Sequence, residues 1–179
     1  MKDYSIRKAT YADRPEIESL IESSARGLSR SDYSSEQIEA AIQHVFGVDT
    51  DLIDDGTYFV AEAAGLLVAC GGWSKRRNLF GGDRYQNREG GELDPQTEPA
   101  KIRAFFVHPD WSRKGIAREI LSLCESEARQ YGFSSAELMA TLPGVKFYIA
   151  CGYEGGDPVI HEMLNLVTLP LVPMRKTLR

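Results

Sequence analysis

Tyr4 and Ile6 alternate with Ser5 and Arg7 up to Lys8, a period of two that predicts a short first strand. The period then lengthens. Ile17, Leu20 and Ile21 stand at helical spacing behind Asp13 and Glu16, which read as an N-cap and its capping-box partner. Ser34 and Gln37 repeat that start signal, and Ile38, Ala41, Ile42, Val45 and Phe46 keep one apolar face through a second helix. Two β-branched and aromatic runs, Thr57 to Glu62 and Leu66 to Trp73, flank Ala63, Ala64 and Gly65 and predict an antiparallel hairpin.

Between Ser74 and Ala100 the pattern lapses. This stretch holds Gly81-Gly82, Gly90-Gly91, Pro95, Pro99 and charges of both signs. Such a length inside a compact domain marks a functional loop or a disordered insertion. Periodicity returns with a strand from Ile102 to Val107, a turn at His108, Pro109 and Asp110, and a helix from about Lys114 to Tyr131. In that helix Ile116, Ala117, Ile120, Leu121, Cys124, Ala128 and Tyr131 share one face. Arg118, Glu119, Ser122, Glu125, Ser126 and Arg129 lie opposite, and Gly132 ends it. A strand at Ala136–Ala140, a short helix at Val145–Cys151 closed by Gly152, and strands near Tyr153–Ile160 and Leu171–Thr177 complete the chain. No internal repeat interrupts it, so residues 1–179 read as a single domain with a long loop at about 74–100. The order β-α-α-β-β-β-α-β-α-β-β joins hairpins to a βαβ crossover. It predicts an α+β (mixed α/β) domain with helices on both faces of the sheet.

Composition narrows the partners. With 179 residues, 42% of them hydrophobic and 26% charged, the chain can bury a full core. Its net charge of −5 argues against nucleic acid or an anionic membrane as the main partner, because phosphate binding needs a basic surface. Arg76-Arg77 is too short a basic run to change that. No run nears the ~18 apolar residues of a membrane span, and no apolar signal segment precedes the first strand. Cys70, Cys124 and Cys151 are odd in number, far apart and set in apolar stretches. They read as buried thiols of a reducing compartment, and a cytoplasmic location is expected. No metal is expected either, since His44, His108 and His161 have no partners at ligand spacing. A homodimer is left open.

Candidate chemistry concentrates between Arg103 and Ala117. There a buried strand and a tight turn lead into a helix opened by the small residues Gly115 and Ala117. A helix start presents unpaired N–H groups and the positive end of its dipole, which suits a pyrophosphate. Gly115 lets an anion approach the backbone, and Arg113, Lys114 and Arg118 add charge. Alone, the pattern is as well explained by an ordinary βα turn with a helix-packing glycine. A second run, Phe147-Tyr148 followed after three residues by Gly152-Tyr153, changes that balance.

Together these runs resemble the GNAT superfamily of N-acetyltransferases. The family's acetyl-CoA signature is Arg or Gln, two residues, Gly, one residue, then Gly or Ala, between a strand and a helix. Lys114 to Ala117 match its second half, while Ser112 stands where the Arg or Gln would be. Phe147 to Tyr153 resemble the family's Phe-Tyr-x-x-x-Gly-Phe ending, and Met174, Arg175 and Lys176 its terminal strand. Pro143 departs from the pattern where many relatives carry Asn. The resemblance spans Tyr4 to Leu178.

It implies the GNAT fold, a twisted, mostly antiparallel mixed sheet of about seven strands whose central strands splay apart. It also implies acetyl-CoA as co-substrate and transfer of its acetyl group to a primary amine, by direct attack in a ternary complex. Ser112, Arg113, Lys114, Gly115, Ile116, Ala117 and Arg118 would hold the cofactor's phosphates. Backbone N–H groups around Phe105, Phe106 and Val107, freed by a bulge, would face the thioester carbonyl. Tyr148 would protonate the departing thiolate, its phenol pKa of about 10 keeping it un-ionised at neutral pH.

The base is less determined, because Lys101 and Arg103 occupy the region where some relatives carry a Glu. Glu98 is the leading candidate, with Glu92, Asp94 and Glu62 as alternatives. A solvated carboxylate is the plainer reading of each. Cys151 lacks a visible His or cationic neighbour and reads as structural rather than nucleophilic. The 74–100 loop is expected to overhang the acceptor cleft. A non-catalytic acyl-CoA-binding or regulatory domain is the alternative function. A nucleotide-binding module lacks the Gly-rich Lys-Ser/Thr loop it would need. The acceptor could be a small amine, an amino acid, an aminoglycoside or a protein N-terminus.

Overall fold

A computed structural model describes residues 1–179. Strand β1 (Ser5–Lys8) leads through a 3₁₀ turn into helices α1 (Arg14–Leu28), α2 (Ser35–His44) and α3 (Thr50–Asp54). The hairpin β2 (Tyr58–Ala63) and β3 (Leu66–Ser74) follows, then β4 (Ala100–Val107), α4 (Ile116–Tyr131), β5 (Ser135–Thr141) and α5 (Val145–Ala150). Strands β6 (Glu154–Gly155), β7 (Val159–Glu162) and β8 (Thr168–Thr177) finish the chain. The sheet has the order β1-β2-β3-β4-β5-β8-β6, with β7 also paired to β8, and only β4 and β5 run parallel.

Alternation along β2 divides the core. Phe59, Ala61 and Ala63 pack with Ile116, Ile120, Leu121 and Cys124 of α4 on one face. Tyr58 and Val60 pack with Ile17, Leu20 and Ile21 of α1 on the other. Helices therefore cover both faces, as their apolar stripes require. Ile120 is fully buried. Ile120→Ala should lower stability by about 2–5 kcal/mol, seen as a lower urea midpoint at unchanged slope.

The structure departs from the sequence reading in places with identifiable causes. Asp13 does not cap α1. Its carboxylate accepts from the Thr10 N–H at 2.7 Å and from Arg7, while Glu16 reaches the N–H of Leu67. Gln37 and Ser34 do form the expected capping box. The final strands number one more than expected because the stretch after Tyr153 is split. Pro158 has no N–H to give, and β6 and β7 pair separately with β8 on either side of the break. Glu125, expected on the polar face of α4, is buried, held by Lys176 at 3.0 Å and by the Tyr153 hydroxyl at 3.1 Å. Tyr131, expected on the apolar face, is half exposed and stacks on Phe133.

The 74–100 segment is a folded excursion. Its base is laced by Arg77 N–H to Gly91 O at 3.0 Å and Leu93 N–H to Lys75 O at 2.8 Å. Its tip docks on the turn after α2 through Gly82 N–H to Val45 O at 2.8 Å and Asp83 N–H to Val48 O at 2.9 Å. A side chain at Gly82 would meet the Gly47 carbonyl at 2.5 Å, so this contact requires glycine. Phe80 packs at its tip against Tyr85 and His161. No helix is long and apolar enough to cross a membrane.

Candidate active site

Parallel strands β4 and β5 pair only at Ala100↔Ala136 and Lys101↔Glu137. Beyond that point β4 stays with β3 and β5 stays with β8, so the two part like the arms of a V. A cavity of about 820 Å³ occupies the wedge, a size suited to a cofactor-scale ligand. Ile102 to Val107 line one wall and Leu138 to Thr141 the other, with the start of α4 at its mouth.

In β4 the register against β3 shifts between Arg103↔Gly72 and Phe106↔Cys70. One extra residue is therefore held in β4, with Ala104 in the left-handed region at φ 59°. The Val107 N–H leaves the ladder for the Ser24 hydroxyl of α1 at 3.2 Å.

At the mouth, Gly115 is the N-cap of α4 with φ 84°, a conformation glycine adopts without strain. Nothing lies within 4 Å of where its side chain would be, Gly115 itself lines the cavity, and the first-turn N–H groups of a helix have no intrahelical acceptor. Arg113, Ile116, Ala117 and Arg118 line the same space, Arg118 also bonding the Ala150 carbonyl at 3.2 Å. Ser112 lines it too, but its hydroxyl is turned to the Pro109 carbonyl at 3.0 Å. Lys114 does not line it. Its ammonium lies 4.4 Å from the centre of the Trp111 ring. Of the ten residues expected to hold the cofactor, nine meet at this cavity and Lys114 points elsewhere.

Tyr148, on α5, lines the wedge opposite Phe105, their ring centres 6.3 Å apart. Burial first, then the Cys124 and Cys151 thiols, push its phenol pKa well above the ordinary value. The group is protonated at neutral pH. All three cysteines are free, and burial raises each thiol pKa, that of Cys70 to about 12. None of them lines the cavity.

The proposed base does not reach the cavity. Glu98 accepts the Asp94 N–H at 2.7 Å and pairs with Arg77, contacts that hold its pKa below the usual carboxylate range. Glu92 lies 3.4 Å from Lys75, Asp94 accepts from Gln96 within its own turn, and Glu62 is held by Arg7. None of the four is in the lining, so the fold does not bring Glu98 or its alternatives to the cavity. The loop does reach the cavity, through Leu79, Phe80, Gly81 and Gly82 rather than its acids.

Sequence reasoning missed Ser24, Asp49 and Arg103 as cavity residues. Asp49 and Arg103 form a buried ion pair, each side chain 1% exposed. The charge at position 103 inside an apolar strand was the available signal. Its partner is 54 residues away in sequence and could not be read.

A model of the Acetyltransferase (GNAT) family matches residues 17–153. The chain belongs to this family. Among solved structures, the GCN5-related N-acetyltransferase from Rhodopseudomonas palustris aligns over 99% of this chain and 98% of its own, with TM-score 0.73 and 18% identity. PaiA N-acetyltransferase from Thermoplasma acidophilum, in complex with coenzyme A, aligns over 98% and 99%, with TM-score 0.65 and 14% identity. YncA from Salmonella typhimurium, solved with its cofactor acetyl-CoA, aligns over 99% and 95%, with TM-score 0.62 and 18% identity. These likenesses establish the GNAT fold for the chain. No match was found among curated proteins.

Proposed function

We propose that the protein transfers the acetyl group of acetyl-CoA to a primary amine by direct attack within the β4–β5 wedge. The carrying observation is that one cavity joins the open N-terminus of α4, the bulged edge of β4 and the Tyr148 side chain. The first-turn N–H groups of α4, with Arg113 and Arg118, supply the anion site that a pyrophosphate needs. The thioester supplies an activated acetyl group. The Val107 N–H, now given to the Ser24 hydroxyl, can turn to an oxyanion forming on the acyl carbonyl. Tyr148, protonated and lining the wedge, can donate to the leaving thiolate.

Asp49 is the only carboxylate in the lining, and Arg103 and Arg88 both bind it. With no free side-chain base, the amine must lose its proton to water and arrive neutral. The rising limb of acceptor kcat/KM against pH should then follow the amine's own pKa. Two amines whose pKa values differ by about 2 units provide the comparison. An inflection that stays at one pH for both would reveal a base on the enzyme.

Acceptor-dependent release of free thiol from acetyl-CoA across an amine panel tests the activity. A domain that binds acetyl-CoA and releases no thiol with any amine would be the non-catalytic alternative. Cys151→Ala should leave turnover within about twofold, since the thiol is buried, un-ionised and outside the cavity.

A further inference from the structure

Six charged side chains form an alternating file that ends at the wedge. Asp55 pairs with Arg76 at 2.7 Å, Arg76 lies 3.5 Å from Asp51, and Asp51 binds Arg88 at 2.6 Å. Arg88 lies 3.2 Å from Asp49, and Asp49 binds Arg103. Each interior member serves two opposite charges and each end serves one. The inner end is a cation, Arg103, whose side chain is 1% exposed and belongs to the cavity lining.

Arg103 is under-used. Its Nη2 bonds Asp49 and the Gly81 carbonyl, while Nε and Nη1 are buried with no hydrogen-bond partner. A guanidinium carries five N–H donors, and leaving them unpaired away from water is costly. A purely structural ion pair would normally satisfy more of them. Above it sits the Gly81 carbonyl, which also accepts from Arg88 at 2.8 Å and Asn78 at 3.3 Å. Arg103 lines the cavity from β4, across the register shift from Phe105, and is separated along β4 from the helix N-terminus at the mouth.

We infer that Arg103 is the carboxylate subsite for the acceptor, so that the substrate is a small amine bearing a carboxylate, such as an amino acid. This rests on the acetyl-transfer reading and specifies its second substrate. One singly charged anion continues the alternation beyond Arg103 and supplies the partner its free donors lack. To reach them, the anion must displace the Leu79–Gly82 segment, which covers the guanidinium through the Gly81 carbonyl. A carboxylate on the acceptor also orients the amine towards the thioester, a positioning effect that a bare alkylamine lacks.

The test compares, on the wild-type protein, an amino acid with its carboxamide and with the matching decarboxylated amine, each followed by thiol release and expressed per concentration of neutral amine, so that differences in amine pKa cancel. The carboxylate form should have a kcat/KM about ten- to a hundredfold higher, carried mainly by KM, which is the span of one charge-assisted hydrogen-bonded pair. The double variant Arg103→Gln, Asp49→Asn removes both buried charges together, so no lone charge is stranded. With folding verified by a retained acetyl-CoA-dependent rise in Tm, its preference for the carboxylate should fall to near unity. Equal kcat/KM per neutral amine for the three forms on wild type, or a preference that survives in the folded double variant, overturns the assignment while leaving acetyl transfer intact. Acetyl-CoA binding with no turnover of any amine overturns the acetyl-transfer reading itself, and the subsite with it.

Discussion

Gly115→Glu should abolish acetyl-CoA binding, raising Kd by on the order of a hundredfold or more. Two effects combine. A carboxylate would be placed at the cavity mouth beside the start of α4, where it repels a pyrophosphate. The φ of 84° also costs a side-chain-bearing residue about 1–2 kcal/mol. Gly115→Ala separates them, because it carries the backbone cost without the charge and meets no protein atom within 4 Å. Calorimetry on both folded variants checks the prediction. An unchanged Kd for Gly115→Glu would remove the start of α4 from the binding site.

Tyr148→Phe should lower kcat by on the order of a hundredfold while acetyl-CoA affinity stays within a few-fold. The hydroxyl is the one phenol in the wedge, and no hydrogen bond contributes to its raised pKa, so the substitution should cost little stability. The shift has a sign that can be tested. A raised pKa keeps the proton on as pH climbs, so loss of the acid should not produce a falling limb of kcat near pH 10, where an ordinary phenol ionises. A falling limb at that pH in wild type that disappears in Tyr148→Phe would contradict the burial argument. Unchanged kcat in the variant would exclude Tyr148 as the acid.

What the sequence disclosed depended on how local each signal was. The capping box at Ser34 and Gln37, the β2–β3 hairpin and the Ile116, Ile120, Leu121, Cys124 and Ala128 stripe of α4 are all written within a few residues and stand as expected, Tyr131 and Glu125 excepted. Gly115 and Tyr148 belong to short motifs, and both line the cavity. Helix α3 was missed because five residues are too few to show a period, and the Asp49 carboxylate that would signal its start is spent on Arg103. That Glu98 lies outside the cavity has a related cause. Glu98 was a candidate as a carboxylate of the loop before β4, and in the fold Arg77 and the Asp94 N–H hold its side chain. Asp49 comes to β4 only through the tertiary fold.

The most direct test follows both products of a single turnover, with enzyme in excess over acetyl-CoA and an amine acceptor present. Mass spectrometry of the acceptor and of the intact protein, beside a thiol count, gives the whole balance. Direct transfer predicts one acetylated amine for each thiol released and a protein of unchanged mass at every time point. An acetyl group carried on the protein before it reaches the amine, or thiol released with no acetylated amine, would contradict the account.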